Sequence, residues 1–287
     1  MTDQGAVVIT GASTGIGRAT ALYLDDKGFR VLAGVRRDTD AESLRKEASD
    51  RLHTLHVDVV DGASIEAAQK TVRDLLGERG LRGLVNNAGI AIAAPFEFLD
   101  LEELRRQLEV NVVGQIAVTQ AFLPLIREQR GRIVNVGSIG GRVAEPLVGP
   151  YTMSKFAIEA FSNSLRIELK PWGIHVSLIE PGSIATPMFD KGQAYADTML
   201  EQIPKSALEY YGSAMEAVRE AYREMARSAI PPEHVAKAVH HALTAKRPRT
   251  RYVVGFDAKI MALVATFLPD RLRDAVLVRL WKYPRSA

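Results

Sequence analysis

The chain lacks cysteine altogether and has few aromatic residues and little net charge. Its 287 residues include 2 tryptophans, 8 tyrosines and 9 phenylalanines, and the formal net charge is +3. The absence of cysteine excludes disulfide bonds, thiolate catalysis and zinc–thiolate centres. The small, dispersed positive excess disfavours a nucleic-acid-binding protein, which would carry a concentrated basic face. The 6 histidines show no metal-ligand spacing, so we expect no metal site.

Long hydrophobic runs are also missing from the sequence. The longest candidate, residues 260–268, is about half as long as the roughly 20 residues of a membrane-spanning helix. Residues 6–10 already have the composition of a strand, so we expect no signal peptide. These features predict a cytoplasmic protein.

Short apolar runs alternate with longer segments of helical periodicity. The runs are rich in β-branched residues and do not alternate strictly, which is typical of strands buried on both faces of a parallel sheet. We predict strands at 6–10, 30–35, 54–57, 84–87, 132–136, 175–180 and 252–255, and helices at 15–28, 64–76, 101–130 and 151–172. The alternation predicts a single α/β domain over residues 1–287 with right-handed crossovers.

The sequence TGASTGIG, residues 10–17, lies between the first predicted strand and the first predicted helix. Gly11 would permit a tight turn, Gly15 would let a pyrophosphate approach the backbone, and Gly17 would let the helix pack on the sheet. Free N–H groups at the helix start would then bind the phosphates. The spacing differs from the Gly-x-Gly-x-x-Gly of most dinucleotide-binding folds, and a tight turn without a ligand is the alternative interpretation.

Four polar residues later in the chain could form an acid–base site. Tyr151 and Lys155 are four residues apart, so they lie on one face of a helix. A tyrosine titrates near pH 10, and a nearby ammonium together with a cationic nicotinamide would lower that pKa by about 2–3 units. Ser138 could hydrogen-bond a substrate oxygen. Asn111, within the preceding helix, could hold a water that links Lys155 to solvent.

These motifs together resemble those of the short-chain dehydrogenase/reductase family. The matching segments are TGASTGIG at 10–17, Asp58-Val59, NNAG at 86–89, Asn111, Ser138, YTMSK at 151–155, and Pro181-Gly182 followed by Thr186. The resemblance implies a seven-stranded, doubly wound, Rossmann-like parallel sheet. It also implies hydride transfer between a nicotinamide cofactor and an alcohol or carbonyl. One departure is Glu180 in the sequence IEPG, where many relatives carry asparagine.

The resemblance also implies a role for each matched residue. Tyr151 would be the acid–base group, and Lys155 would lower its pKa and hold the nicotinamide ribose. Ser138 would position the reacting oxygen, and Asn111 would complete a proton relay. The predicted cofactor-binding residues are Gly11, Ser13, Gly15, Ile16, Gly17, Arg36, Arg37, Asp58, Val59, Asn87, Ala88, Gly89, Tyr151, Lys155, Pro181, Gly182, Ile184 and Thr186. Of these, Asp58 is expected at the adenine, Asn87 to Gly89 on the adenosine side, and Ile184 and Thr186 at the nicotinamide amide.

The end of the second predicted strand bears on the choice of cofactor. Enzymes that use NAD commonly place an acidic residue there to bind the ribose 2′-hydroxyl, but this chain has Val35. Arg36 could bind a 2′-phosphate through two hydrogen bonds, with Ser13 and Arg37 assisting. We therefore predict NADP(H), while NAD(H) stays open because acidic residues follow closely.

The segment 188–230 is helical and amphipathic, and is either a lid over a binding site or a surface excursion. Its apolar side chains would line a large pocket or only pack the lid on the domain: Met188, Phe189, Met199, Leu200, Ile203, Leu208, Tyr210, Tyr211 and Met215. The region around residues 248–259 resembles the retinol and hydroxysteroid dehydrogenase branch. That resemblance favours a hydrophobic small-molecule substrate, a steroid, retinoid or aliphatic alcohol or carbonyl. The alternatives are an NAD-dependent reductase of a polar sugar or an acyl chain, and a non-catalytic nucleotide-binding regulator.

The C-terminal extension, residues 256–287, is apolar with interspersed arginines. It would either dock on the domain or on a partner subunit, or lie at a membrane interface. Members of the family usually pair through the helices that correspond to 101–130 and 151–172. We therefore expect a homodimer or homotetramer, with peripheral membrane contact through the extension as a second expectation and no nucleic-acid partner.

Overall fold

Seven parallel strands form one sheet in the computed structural model. The structure describes residues 4–284, except for the side chains of Lys191, Gln193, Met199, Leu200, Glu201 and Gln202. The strands are β1 (Ala6–Ile9), β2 (Arg30–Val35), β3 (Leu52–His56), β4 (Gly83–Asn86), β5 (Arg132–Val136), β6 (His175–Pro181) and β7 (Arg251–Val254). Their order is β3-β2-β1-β4-β5-β6-β7. The order reverses between β1 and β4, where a crevice opens at the carboxyl ends of the strands. The doubly wound fold is confirmed.

Helices cover both faces of this sheet. They are α1 (Gly15–Asp26), α2 (Asp38–Arg45), α3 (Gly62–Leu76), α4 (Leu101–Leu108), α5 (Gly114–Gln129), α6 (Gly149–Glu168), α7 (Met188–Gln202), α8 (Lys205–Ser228), α9 (Glu233–Thr244), α10 (Phe256–Phe267) and α11 (Asp270–Leu280). In β1, Val7 and Ile9 pack with α1, α2 and α9, whereas Val8 packs with α3, α5 and α6. Because alternate side chains enter different apolar layers, the strand is apolar at every position.

The predicted helix at 101–130 is interrupted in the structure. A π-helical turn, Glu109–Val113, separates α4 from α5, and Asn111 lies within it. Such turns are rare and often occur at functional sites. The predicted lid is likewise two helices, since α7 ends before Pro204 and α8 begins after it. Proline has no N–H to donate, so it is compatible with the start of a helix and not with its interior.

The C-terminal helices α10 and α11 pack on the domain through one face. Leu277 and Trp281 are almost fully buried in a cluster with Val143, Val218 and Ala221. These contacts join the end of the chain to α8 and to the loop that follows β5. The extension therefore forms part of the wall on the β5–β7 side of the molecule.

Among residues 4–284, one helical stretch has the length and hydropathy of a membrane span. Residues Leu101–Gln129 reach a mean hydropathy of 1.3, and 44% of the most apolar window is buried inside the protein. This stretch comprises α4, the π-helical turn and α5, which pack against α3, α6 and β4. Its apolar character is accounted for by its place against the sheet.

Candidate active site

The glycine turn after β1 has a shape that side chains would block. Gly11 and Gly15 have φ angles of 65° and 55°, in the left-handed region that favours glycine. A Cβ atom on Gly17 would lie 2.2 Å from the carbonyl oxygen of Gly11 and 2.5 Å from the Asn87 amide nitrogen. A Cβ on Gly15 would lie 3.1 Å from Thr186. The turn is therefore closed by neighbouring backbone and leaves no room for larger residues.

The NNAG segment after β4 holds this turn in place. The hydroxyl of Thr10 accepts hydrogen bonds from the backbone N–H groups of Asn87 and Ala88, at 3.0 and 3.1 Å. The side-chain amide of Asn87 donates to the carbonyl oxygens of Thr10 and Gly11, at 3.0 and 3.1 Å. Its amide group therefore stabilises the glycine turn, a use that sequence reasoning did not predict.

The start of α1 fits a phosphate group. Thr14 is the N-cap residue, and its side chain makes no capping hydrogen bond. The first N–H groups of the helix therefore have no side-chain acceptor, and they point with the positive end of the helix dipole into the crevice. Beside the left-handed glycines of the turn, this donor set suits a dinucleotide pyrophosphate.

The two arginines after β2 differ in their surroundings. Arg37 forms a bidentate ion pair with Asp40, with both N–O distances at 2.8 Å. Arg36 is exposed, and among residues 4–284 it has no acidic partner. Arg36 is therefore available to an anion at this edge, whereas Arg37 is already paired. In the loop after β3, the Asp58 backbone N–H donates to the Ser64 hydroxyl at 3.0 Å.

Other predicted cofactor residues lie on the loops that surround the same crevice. Ser13 and Ile16 belong to the glycine turn, Val59 follows β3, and Gly89 follows β4. A Cβ on Gly89 would lie 3.3 Å from the Asn111 side-chain oxygen. These loops bring together residues that are far apart in the chain.

The loop after β6 closes the crevice from the other side. The carboxylate of Asp257, in the first turn of α10, accepts a hydrogen bond from the Ser183 N–H at 2.6 Å. A Cβ on Gly182 would lie 2.3 Å from that carboxylate, so glycine is required there. Ile184 is buried. The end of the loop, Thr186, contacts the glycine turn, and the loop thereby joins both sides of the crevice.

Ser138, Tyr151 and Lys155 are brought together above β5. Ser138 begins a short helical turn, and its hydroxyl accepts from the Gly140 N–H at 3.0 Å and hydrogen-bonds Tyr151. The Lys155 ammonium lies 5.6 Å from the centre of the Tyr151 ring and donates to the Val136 carbonyl at 3.0 Å. The predicted constellation of hydroxyl, phenol and amine is therefore present in one place.

Among the protein's own groups, burial has the largest effect on the pKa of the phenol. The expected lowering of that pKa included the charge of a bound nicotinamide, so it stays a prediction. Burial raises the pKa of Tyr151 to about 12, the hydrogen bond from Ser138 lowers it, and the charge of Glu145 raises it. Burial also lowers the pKa of Lys155 to about 8. Desolvation therefore has a larger effect on the Tyr151 pKa than the Lys155 ammonium has, and the phenol is neutral at physiological pH.

Asn111 is fully buried and fully hydrogen-bonded. Its side-chain oxygen accepts from the Ile90 N–H at 2.8 Å, and its amide donates to the Ile90 carbonyl and the Ser154 hydroxyl, both at 2.9 Å. Ser154 directly precedes Lys155 on α6. Asn111 thus links the NNAG loop to the helix of the catalytic candidates, and its part in a water relay stays a prediction.

Glu180, which the sequence singled out only as a departure from relatives, lies at the centre of a buried ionic network. Its side chain is 0% exposed and accepts from Arg142 Nε at 2.8 Å, from Arg142 Nη2 at 2.7 Å and from Arg251 Nη1 at 2.5 Å. Arg251 also pairs with Glu159, one turn beyond Lys155 on α6. The network therefore connects β6, β7, α6 and the loop after Ser138. Because it depends on tertiary contacts, no local sequence signal could have revealed it.

The lid begins and ends beside the cofactor crevice. The Ala185 N–H donates to the Ile230 carbonyl at 2.9 Å, and the Ile230 N–H donates to the Ser183 carbonyl at 3.0 Å. Farther out, the Tyr211 hydroxyl donates to Glu97 at 2.9 Å. The lid is thus fastened at both ends and again along its length.

The apolar side chains of the predicted lid differ in their exposure. Phe189 contacts Tyr222, with ring centres 6.4 Å apart, and Tyr222 contacts Trp281 at 5.4 Å. Three of the residues considered for the lining expose much of their surface: Met188 at 41%, Leu208 at 41% and Tyr210 at 63%. Met199 and Leu200 lie outside the described side chains. Tyr222 and Trp281 were not predicted, because their role depends on how α8 and α11 meet.

Comparison with known proteins agrees with this geometry. The sequence model described as short chain dehydrogenase matches residues 5–196. Retinol dehydrogenase 5 of Mus musculus is 42% identical over 98% of this chain and 89% of its own length. The 17-beta-hydroxysteroid dehydrogenase type 6 of Homo sapiens is 42% identical over 98% of this chain and 90% of its own length.

A solved structure matches the whole fold as well. A short chain dehydrogenase from Burkholderia cenocepacia J2315, in complex with NADP, superimposes with a TM-score of 0.71 and 26% identity. The match covers 96% of this chain and 97% of the other. With its doubly wound sheet, glycine turn and grouped serine, tyrosine and lysine, the chain belongs to the short-chain dehydrogenase family and is an oxidoreductase of its retinol and hydroxysteroid dehydrogenase branch.

Proposed function

We propose that the protein is an NADP(H)-dependent alcohol dehydrogenase and carbonyl reductase that acts on a lipophilic substrate. The observation that carries this proposal is the grouping of Ser138, Tyr151 and Lys155 beside an apolar wall. A hydroxyl and a phenol can hold and protonate one oxygen atom. The apolar wall admits a hydrophobic body next to that oxygen.

The cofactor half of the crevice supports NADP(H). The glycine turn and the free N–H groups of α1 would bind the pyrophosphate. Arg36, exposed and without an acidic partner among the described residues, would bind a 2′-phosphate. Val35 offers no carboxylate for a ribose 2′-hydroxyl. The NADP complex of the Burkholderia cenocepacia relative is consistent with this choice.

The chain's own residues would control the reacting oxygen and one proton. A bound nicotinamide would supply or accept the hydride. Ser138 would donate a hydrogen bond to the substrate oxygen, and the neutral Tyr151 would give its phenolic proton to that oxygen during carbonyl reduction. Lys155 would hold the nicotinamide ribose with its ammonium. In the opposite direction Tyr151 must first lose its proton, so alcohol oxidation should speed up as pH rises toward the pKa of the phenol.

The substrate side supports a bulky hydrophobic compound. Val143, Tyr222 and Trp281 come from the loop after β5, from α8 and from the C-terminal end of the chain, and they form one apolar cluster. The relatives are named for retinol and for a hydroxysteroid, which are large alcohols with few polar groups. We therefore place retinoids, steroids and long-chain aliphatic compounds first among substrates.

A substrate and cofactor screen tests this proposal. Retinal, steroid ketones and aliphatic aldehydes from six to twelve carbons would be assayed with NADPH and with NADH by the fall in nicotinamide absorbance. We expect turnover of hydrophobic carbonyls, faster with NADPH than with NADH. Turnover of polar sugars alone, or a preference for NADH, would contradict the proposal.

We also propose that the C-terminal helices rest on a membrane surface. Phe256, Ile260, Leu263 and Phe267 recur every three or four residues of α10 and are all exposed, with Phe256 at 78%. Leu272, Val276 and Leu280 continue an exposed apolar face on α11. Exposed basic residues flank these faces, including Lys259, Arg271 and Arg279. Apolar side chains beside basic ones suit the interface of an anionic bilayer.

Liposome flotation tests the membrane contact. The protein should float with vesicles of phosphatidylcholine and phosphatidylserine, and the double variant Phe256→Ser, Phe267→Ser should float much less. Ile167→Ser, at a residue 70% exposed on α6, is the matched control. Equal flotation of the double variant and the wild type would refute this contact.

The expected pairing through α5 and α6 stays a prediction, as does a cytoplasmic location. On α6, Met153 and Phe156 each expose 44% of their surface, and such side chains are suited to a subunit contact. Sedimentation of Phe156→Arg against the wild type would test a homodimer or homotetramer. A change to monomer is the expected result.

A further inference from the structure

The ionic network around Glu180 contacts two of the elements that carry the reacting groups. One is the Ser138 turn, residues 138–142, which ends at Arg142. The other is α6, on which Glu159 lies one turn beyond Lys155. Glu180 itself lies near the carboxyl end of β6. The network is therefore placed between the turn and the helix whose side chains must meet at one substrate oxygen.

Arg142 joins the Ser138 turn to β6 with a defined geometry. Its Nε and Nη2 atoms donate to the two carboxylate oxygens of Glu180 at 2.8 and 2.7 Å, and Glu180 is 0% exposed. Two parallel hydrogen bonds from a planar guanidinium fix an angle as well as a distance. The backbone N–H of Arg142 also donates to the Ile139 carbonyl at 2.9 Å, within the turn. The side chain of Arg142 thus sets how far the turn lies from the sheet.

The other side of the Ser138 turn lies directly on α6. A Cβ atom on Gly141 would lie 2.9 Å from the Lys155 carbonyl oxygen and 3.1 Å from Cγ of Glu159. A Cβ atom on Gly140 would lie 3.6 Å from the Tyr151 ring. Because the turn meets the helix through glycine backbone, a movement of the turn would change the distance between the Ser138 hydroxyl and the Tyr151 phenol.

Arg251, the first residue of β7, connects α6 to the same carboxylate. Its Nη1 atom donates to Glu180 at 2.5 Å and pairs with Glu159, and its Nη2 atom donates to the Asn163 side-chain oxygen at 3.2 Å. Glu159 and Asn163 are successive residues on one face of α6. The turn and the helix are therefore both tied to Glu180, one through each arginine.

Stability alone does not require a buried network of this kind. Moving charged groups out of water has a free-energy cost that pairing only offsets, and apolar residues of similar volume often stabilise a protein as well. A network in which the charged groups hold one another does restrict the surrounding elements to one arrangement. That property is useful where two side chains on different elements must be held at a fixed distance.

We propose that Glu180 and Arg142 are positioning residues for the reaction, and that they hold the Ser138 hydroxyl where it and the Tyr151 phenol bind one substrate oxygen. They act through Ser138 and not on the substrate itself. The inference rests on the proposed function and adds two residues to it. A hydrogen bond to that oxygen strengthens as negative charge develops on it. A displaced Ser138 should therefore weaken binding of the transition state more than binding of the substrate.

Kinetics of two variants measure this role, with decanal and NADPH as substrates. Arg142→Met removes the donor of the bidentate pair, and Glu180→Gln removes the charge of its acceptor. In both variants we expect kcat to fall by about 10- to 100-fold, while KM for decanal and the dissociation constant of NADPH change by about threefold or less. Nucleotide binding, followed by fluorescence, counts the folded sites, so kcat refers to folded protein only.

Two further variants separate position from stability. Arg142→Lys keeps the charge without the planar fork, so it should fold and still lose part of kcat. Arg132→Met is the matched control, at a buried arginine of the opposite end of β5 that donates to the Ala242 and Ala245 carbonyls, both at 2.7 Å. Arg132→Met should lower the melting temperature and leave kcat at the wild-type value.

A double-mutant cycle with Ser138→Ala tests the route of the effect. Once the hydroxyl is removed, its position no longer matters, so adding Arg142→Met should lower kcat by about twofold or less. The same substitution should still lower the melting temperature in both backgrounds. A purely structural role for Arg142 would not produce this difference between kcat and stability.

Three results would overturn the proposal. If Arg142→Met, Arg142→Lys and Glu180→Gln keep the wild-type kcat and lose only melting temperature, the network is structural and the proposed function stands. If the losses from Arg142→Met and Ser138→Ala multiply in the double variant, Arg142 does not act through Ser138. If the wild type reduces no carbonyl with NADPH or NADH, the proposed function fails and the positioning role fails with it.

Discussion

The crevice has two sides that are held by different kinds of contact. On the cofactor side, over β1 and β4, the contacts involve backbone atoms at close range. The Thr10 hydroxyl and the Asn87 side-chain amide hydrogen-bond backbone groups, and a Cβ on Gly17 would meet the Gly11 carbonyl oxygen. On the substrate side, backbone hydrogen bonds hold only the ends of the lid. Between its ends the contacts are made by side chains: Tyr211 on Glu97 and, between the two lid helices, Phe189 on Tyr222. A backbone site tolerates few substitutions, whereas a site made of side chains can be changed one residue at a time.

Removal of the phenolic hydroxyl, at the boundary of the two sides, should have the largest effect. Tyr151→Phe should lower kcat by about 10²–10⁴-fold, the usual range for loss of a general acid, while NADPH still binds. Tyr210→Phe, at a lid residue 63% exposed, is the matched control. Near-normal turnover of Tyr151→Phe, measured in single-turnover reactions, would show that another group supplies the proton.

The ionic network below the crevice should be the next most sensitive feature. Glu180→Gln leaves Arg142 without its bidentate partner and should lower the free energy of unfolding by about 3 kcal/mol. Glu102→Gln, in the exposed pair with Arg105, should change it by about 0.5 kcal/mol or less. Urea denaturation of both variants gives the comparison directly. Equal stabilities would mean that the buried network contributes no more than a surface pair.

A glycine-to-alanine substitution on each side of the crevice compares how closely the two sides are packed. Gly17→Ala puts a methyl group 2.2 Å from the Gly11 carbonyl oxygen and should destabilise the protein by about 1–3 kcal/mol and weaken NADPH binding. Gly212→Ala, within α8, meets nothing within 4 Å and should stabilise by about 0.5–1 kcal/mol. Thermal melting of the pair tests the contrast. Destabilisation by Gly212→Ala would show that the lid is as closely packed as the turn.

The arginines after β2 should show the smallest effect. Arg36→Ala should weaken NADPH binding by about tenfold, which corresponds to about 1.4 kcal/mol, and leave NADH binding nearly unchanged. Arg37→Ala should matter less, because Arg37 is already paired with Asp40 at 2.8 Å. Fluorescence titration of both nucleotides gives the four affinities. An equal loss for NADPH and NADH in Arg36→Ala would remove the basis for NADP(H) preference.

Much of the fold could be predicted, because local rules determine it. The predicted strands at 30–35 and 132–136 coincide with β2 (Arg30–Val35) and β5 (Arg132–Val136). Strands buried on both faces are apolar throughout, and that pattern is distinctive. The glycine turn could also be predicted, because the left-handed φ angles of Gly11 and Gly15 permit almost no other residue type.

What could not be predicted depends on contacts between distant residues. The π-helical turn at Asn111 has no periodic signal of its own, and its asparagine bonds Ile90 and Ser154, at 21 and 43 residues' separation. The raised pKa of Tyr151 comes from burial among residues that are distant in the chain, so the sequence could not indicate it. The exposure of Leu208 and Tyr210 was equally hidden from the sequence, because an amphipathic helix does not reveal which neighbour its apolar face meets.

The paired hydrogen bonds between Ser183–Ala185 and Ile230 have a consequence for engineering. Both ends of the lid lie side by side at Ile184 and Ile230. A segment of different length or composition could therefore replace the lid without moving the strands. The entropy of closing such a loop grows only slowly with its length. New substrate specificities could therefore be built by exchanging the lid between homologues while Ser138, Tyr151 and Lys155 stay unchanged.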